Sequence, residues 1–440
     1  GNGAVNGSGG KDTLLSAGDQ DYQLSDTHFG TSSGASLIVD SVEQASLAGG
    51  AANNFFNASG WTGTAAVSGG GGTDVLLSAG DLDYHLTSGG LTTSNGGTVY
   101  TADVDRAILV GGTGDNTFVV EGWNGSVTVV GGVGDDTVAG TFNGDVRLSD
   151  QELNAQSTGT GPKLDVIGVE RAVLNGSPDD QTFDVSNWSG RGGLNGGGGS
   201  DTIVASGTGN FALDDRGFAL PTGGFVNLIG FGAAVLTGGR GNDTFNLSGW
   251  TGSASVTGDT GFDTLIVSEN TNFTLTAGRL RTGTGADVAI SGVEKAYLEG
   301  GLGDNAFDVT GWVGSATVVG NGGSDTVFFG GATQTFLSDN SLVANTGLAA
   351  TLVGIRTAVV SGTSGPDTFV LSGWTGRARV FGGVGSTNDP TDSADVIVYS
   401  GDFDYALSDQ TLGVSNGGLI SLTRVERALL EGGRGDNVFD

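Results

Sequence analysis

Aspartate recurs in this chain at fixed distances from glycine, and that spacing is where chemistry could reside. Counted from a glycine that opens a tight turn, an Asp stands five residues on at Asp12, Asp74, Asp136, Asp201, Asp263 and Asp325, and at Asp395 once eight extra residues are discounted. A second series, four or five residues after its own glycine, holds Asp115, Asp180, Asp243, Asp304, Asp367 and Asp436. Carboxylates beside main-chain carbonyls are the donor set of a hard cation. Calcium takes about six to eight oxygens, and two stacked turns could supply them. The same residue types also form a corner unaided, because Asn and Asp side chains bond the nearby backbone. Both readings stand at this level.

The elements that hold these turns follow from their count. The turn glycines Gly7, Gly49, Gly69, Gly111, Gly131, Gly176, Gly196 and Gly238 are separated by 42 and 20 residues in alternation, with three residues added once. The count continues through Gly258, Gly300, Gly320, Gly362, Gly382 and Gly432, with eight residues added once. The repeat is therefore 62 residues long, and Trp61, Trp123, Trp188, Trp250, Trp312 and Trp374 keep the same phase. Between the turns lie short β-branched runs such as Phe118-Val119-Val120 and Val127-Thr128-Val129-Val130. These read as strands. Gly at one residue in five would weaken any helix, and no 3.6-residue apolar stripe is present.

Strands of a sandwich differ in partner and exposure and have no reason to keep one register. Stacked near-copies do. The sequence therefore predicts an all-β parallel β-solenoid (β-helix) of about 21-residue rungs, three rungs per 62-residue repeat. Residues 1–440 are expected to form a single continuous repeat array of about seven units. At roughly 4.8 Å per rung this is a rod on the order of 100 Å long. Neither end shows an atypical capping sequence and there is no Met. The array is expected to belong to a longer chain, or to join other copies end to end.

The net charge of −31 repels phosphates and anionic lipid, so nucleic acid is not an expected partner. No apolar run approaches the roughly 18 residues of a membrane span. The absence of Cys excludes disulfides and thiol chemistry. Catalysis is not expected, because the repeat runs from end to end and no unit departs from it to gather acids, bases or arginines on one face.

The turns Gly69 to Leu76, Gly131 to Val138, Gly196 to Ile203 and Gly238 to Phe245 fit Gly-Gly-x-Gly-x-Asp-x-apolar. This resembles the calcium-binding nonapeptide of RTX proteins, although here the turns lie 20 and 42 residues apart instead of nine. The whole unit runs Phe-x-x-x-Gly-Trp-x-Gly, then Gly-Gly-x-Gly-x-Asp-Thr, then Val-Glu-x-Ala-x-Leu-x-Gly-Gly. It resembles the β-strand repeats of giant bacterial surface proteins, planctomycete proteins and haemagglutinin- or haemolysin-like adhesins among them. That resemblance implies secretion to the cell surface or medium and a structural or adhesive role, with a surface glycan or protein as ligand. The Gly-Trp element is read as a packing plug. Pairs such as Glu170-Arg171, Glu294-Lys295, Glu426-Arg427 and Asp105-Arg106 are read as solvated ladders. Arg434-Gly435-Asp436 is read as one filling of the turn. The insertion Ser386 to Ser393 is read as a corner loop, either open to a partner or simply tolerated at a loop tip.

Overall fold

The computed structural model describes residues 1–156, 163–383 and 394–440. The insertion Ser386 to Ser393 lies outside them. Every regular element among the described residues is a β-strand. None of them is a helix long and apolar enough to cross a membrane. The chain divides into two compact units. One is Gly1–Ser206 with Arg216–Ala233, and the other is Gly207–Asp215 with Ala234–Asp440.

The strands form because each 62-residue copy supplies short segments that alternate apolar and polar. In Thr117–Glu121 the side chains of Phe118 and Val120 are buried while Thr117, Val119 and Glu121 face outward. Such a segment hides one face and wets the other, which is the two-residue period of a strand. The strands stack in parallel on near-copies of themselves. In the first unit Gln44–Ala48 pairs with Thr64–Ser68, twenty residues on, and Phe55–Asn57 pairs with Val75–Ala79 at the same offset. The chain is an all-β parallel β-solenoid.

The 42-residue stretch does not form two further rungs. It holds an antiparallel meander of three strands, Tyr84–Thr87, Gly90–Thr93 and Thr98–Ala102. The last of these returns to lie parallel on Thr64–Ser68, and the first pairs in parallel with Thr117–Glu121 of the next copy. The second unit repeats this device at Phe273–Thr276, Arg279–Thr282 and Asp287–Ser291. The physical reason is that a polar hairpin tip such as Thr87-Ser88-Gly89-Gly90 reverses the chain without crossing the core. Forty-two residues can therefore be spent within one sheet as readily as in two circuits.

A copy thus contains seven strands distributed between two sheets. Seven is odd, so the next copy begins in the opposite sheet. The first meander named above joins the sheet of Thr64–Ser68. Its successor, Asp145–Ser149 with Glu152–Gln156 and Lys163–Ile167, joins the sheet of Ser126–Val130 instead.

In-register stacking puts like on like. Tyr84 lies over Phe118 with ring centroids 5.2 Å apart, and Tyr22 over Phe56 at the same distance. In the second unit Phe273 lies over Phe307 at 5.1 Å. Such pairs add about 0.5–1.5 kcal/mol beyond the area they bury. The Tyr84 hydroxyl, buried at the corner, donates to the carbonyl of Val110 at 2.7 Å, and burial pushes its pKa up to about 12. All six tryptophans are buried. They are plugs under the corner, with Gly63, Gly125, Gly190 and Gly376 leaving room for the indole.

One corner position is left-handed in each copy that shows it. It is Gly168, Gly230, Gly292 or Gly354 in four copies, but Ser41, Asp103 and Arg424 adopt the same conformation with φ of 55°, 53° and 56°. A side chain there costs about 1–2 kcal/mol. Glycine's extra chain entropy returns about 0.5–1 kcal/mol of that. Asp103→Gly is therefore expected to stabilise the chain by about 0.5–1 kcal/mol. The check is a higher urea midpoint at unchanged slope; an equal or lower midpoint contradicts the account.

Candidate cation-binding turns

The acidic turns stack at the corners between the sheets, and one corner of the first unit shows their construction. Four storeys follow one another: Asp81 to Asp83, Gly111 to Asn116, Gly131 to Asp136, and Gly168 to Glu170. Parallel strands leave main-chain N–H groups at such a corner facing the neighbouring storey. A buried N–H without an acceptor costs about 1–3 kcal/mol. The carboxylates supply the acceptors.

Asp81 Oδ1 accepts the Gly114 N–H at 3.0 Å and the Asn116 amide at 3.1 Å, and Asp83 accepts the Thr117 N–H at 2.8 Å. One storey on, Asp115 accepts the Asp135 N–H at 2.8 Å. Asp136 Oδ1 reaches back to the Asn116 N–H at 2.7 Å. Glu170 closes the stack by accepting the Asp136 N–H at 2.9 Å.

Each Asp named from the sequence has a definite place. Asp74, Asp136, Asp201, Asp263, Asp325 and Asp395 are buried. Each accepts the N–H of the residue one rung back, at 2.7 to 2.9 Å. Asp12 is half-buried, and its own N–H goes to Glu43 at 3.0 Å. Asp115, Asp180 and Asp304 are exposed and accept an N–H one rung on. Asp243 and Asp367 are buried and close their own turns onto the N–H groups of Gly239 and Thr363, the role taken by Asn116 and Asn305 elsewhere. Asp436 is exposed. Among the described residues no three His, Asp or Glu side chains converge in a group that could hold a metal ion.

The second oxygen of the buried series is the unusual atom. Oδ2 of Asp12, Asp74, Asp136, Asp201, Asp263 and Asp325 is buried without a hydrogen-bond partner. It lies against the glycine that opens the turn. A Cβ added to Gly131 would sit 2.6 Å from Asp136 Oδ2 and 1.9 Å from the Gly168 carbonyl oxygen. The neighbours of these carboxylates are also acidic. Burial, with the charges of Glu170, Asp115 and Asp135, raises the Asp136 pKa against the opposing hydrogen bond from Asn116. Asp74, Asp201, Asp263 and Asp325 are raised for the same leading reason. Burial raises Asp395 to about 6, with Asp367 and Glu426 adding to the effect.

Two sets of functional side chains escape the sequence reading. Asp105, Glu170, Glu294 and Glu426 are not members of solvated ladders. Each accepts the N–H of a buried Asp, at 2.8 or 2.9 Å. The hairpin aspartates Asp26, Asp150, Asp215 and Asp339 grip the residues that follow Trp61, Trp188, Trp250 and Trp374. Asp339, for example, takes the Thr375 N–H at 2.7 Å and its hydroxyl at 2.8 Å. The recurrence of Leu-Ser-Asp, at Leu24 to Asp26, Leu148 to Asp150 and Leu337 to Asp339, was the available signal for three of these four.

No known protein family's sequence profile matches the chain, and no curated protein matches it. Among solved structures, the extracellular lipase LipA from Serratia marcescens is similar at 14% identity, with a TM-score of 0.17, over 59% of this chain and 40% of that one. The chain thus spans about two fifths of that protein's length.

Two outcomes follow from the corner chemistry. Asp136→Ala strands the Asn116 N–H and is expected to cost about 1–3 kcal/mol, whereas Asp136→Asn keeps the acceptor and is expected to be neutral or stabilising at pH 7. Paired urea melts check this, and equal losses in both variants count against it. The second outcome is pH dependence. A carboxylate whose folded pKa is raised stabilises the fold fully below its unfolded value, near 3.9. That contribution is lost as pH rises through the folded value, about 6 for Asp395. Asp287, held below the usual range by its bond to Arg279, and Glu299, held down by its bonds from Asn321 and Ser268, oppose this as two groups against six. The melting temperature is therefore expected to be higher at pH 5 than at pH 8, as calorimetry would show.

Proposed function

We propose that the chain is a structural repeat region of an extracellular or cell-surface protein, a rod-forming array that extends by adding copies. The observation that carries this reading is the use made of the acids. In copy after copy the buried Asp spends one oxygen on the N–H one rung back, at 2.7 to 2.9 Å. The most strongly perturbed carboxylates are committed to holding backbone together, and this use of the buried Asp recurs from Asp74 to Asp395. The net charge of −31 suits a polymer that must stay soluble and apart from nucleic acid. The expected partners are neighbouring copies in the same or another chain, with a surface glycan or protein ligand as the adhesive variant.

Small-angle scattering from the purified chain tests the rod. An elongated particle with a constant cross-section is expected; a compact particle of this mass sinks the reading. Electron microscopy at rising concentration tests end-to-end joining.

The second reading is calcium at the corners, in the manner that the Gly-Gly-x-Gly-x-Asp turns suggest. It is favoured by the exposed carboxylates of Asp115, Asp180 and Asp304, each with one oxygen engaged in a single hydrogen bond. Melting followed by circular dichroism with calcium and with a chelator decides it. A calcium-dependent midpoint supports this reading, and an unchanged one removes it.

A further inference from the structure

One outer face of the second unit departs from every other copy of the repeat. Thr357–Ser361, Arg377–Phe381 and Leu419–Thr423 lie side by side in parallel, with Arg377 between Thr357 and Leu419, and Arg379 between Val359 and Ser421. Alternation turns Ala378 and Val380 into the core and leaves Arg377, Arg379 and Phe381 outward and exposed. Beside them stand Val359 and Leu419, and every other outward position on these three strands is Ser or Thr. The face carries no carboxylate.

Residues two apart on a strand face are about 7 Å apart, so the two guanidinium groups form a pair. Several cations on other outer faces do have acidic partners: Arg147 with Asp184, Lys163 with Asp165, Arg171 and Arg191 with Asp135, Arg279 and Arg281 with Asp287. Among the described residues neither Arg377 nor Arg379 is within 4.0 Å of a carboxylate, the limit for an ion pair. Asp339, at the corner leading into Arg377–Phe381, already gives both oxygens to Thr375.

The equivalent positions in earlier copies are Thr64 and Ala66, Ser126 and Thr128, Arg191 and Gly193, Ser253 and Ser255, and Ser315 and Thr317. The arginine pair is thus an addition to the repeat and not part of its register. Arg356, exposed at the corner entering this face, stands where other copies have Glu43, Asp105, Glu170, Glu294 or Glu426. The acidic corner is reversed in sign beside the same patch.

On a chain of net charge −31, an exposed patch of arginine with Phe, Leu and Val and no acid has the composition of a protein contact. Interface centres are enriched in Arg and aromatics and depleted of Asp, Glu and Lys. We propose that this face docks onto the acidic corners of a second copy of the chain. Charge complementarity selects that occupant. Asp115, Asp180 and Asp304 are exposed, and the hydrogen bond each makes occupies only Oδ1. That leaves an oxygen for a guanidinium fork. Patch and corner are different surfaces, so the contact is heterologous and leaves each copy free to take up another, in a ring or an open array. It joins chains side to side, independently of any joining through strand edges at the ends.

Sedimentation velocity of the whole chain tests the proposal. At an ionic strength of about 0.01–0.1 M the Debye length is about 30–10 Å, and at 1 M it is about 3 Å. The weight-average mass is expected to rise at least about twofold with protein concentration at the lower salt, as a heterologous contact requires. It is expected to return to the monomer value at the higher salt. The double variant R377E/R379E, altered only at exposed positions, is expected to remain monomeric at both while keeping the wild-type circular dichroism melt. Edge-to-edge joining would persist in high salt and in the variant, so the two kinds of association are read apart. A wild-type chain that stays monomeric throughout overturns the proposal, as does a variant that associates like the wild type. Capture by a sulfated polysaccharide without self-association also overturns it, and assigns the face to an anionic polymer.

Discussion

The structure depends on finding an acceptor for each main-chain N–H at the corners. Along the strands the parallel ladder meets this requirement by itself. At the corners the backbone turns out of the ladder, and its amides face the next storey across a dry gap. A carboxylate one rung away is the strongest acceptor that fits, and a bond from N–H to a charged oxygen contributes more than a neutral one. The Asp spacing, the Glu that follows and the glycines that make room for them all answer this requirement.

The arrangement concentrates negative charge where solvent is scarce. Asp136 is surrounded by Asp115, Asp135 and Glu170, and Asp263 by Asp243, Glu294 and Asp259. Repulsion between such neighbours is the cost of using one residue class for every cap. Spreading the caps among Asn116, Gln181 and Asn305 in the first-turn position lowers that cost, because an amide oxygen closes the turn without adding charge. The alternation of amide and acid between successive storeys is then a compromise between bond strength and repulsion.

The period and the parallel stacking were legible because 20 and 42 recur and because Phe118, Val120 and their counterparts alternate. The meander was not, since 42 is close to twice 21 and the hairpin tips carry no glycine-aspartate signature. Asp136 was legible as an acid at a fixed place in a turn, but its work was not. Sequence shows Glu170 beside Arg171, whereas the partner of Glu170 is the Asp136 amide, thirty-four residues away. Arg377 and Arg379 were visible as letters. Their isolation from acid became apparent only when the strands on either side were known.

The odd number of strands in a copy has a consequence for display. Any feature written once into the repeat and propagated by duplication appears on alternate sides, so neighbouring duplicates cannot cooperate in gripping one flat ligand. Two copies, 124 residues at a 62-residue period, must pass before the feature returns to the same side. A change confined to one copy, as at Arg377 and Arg379, marks one sheet alone.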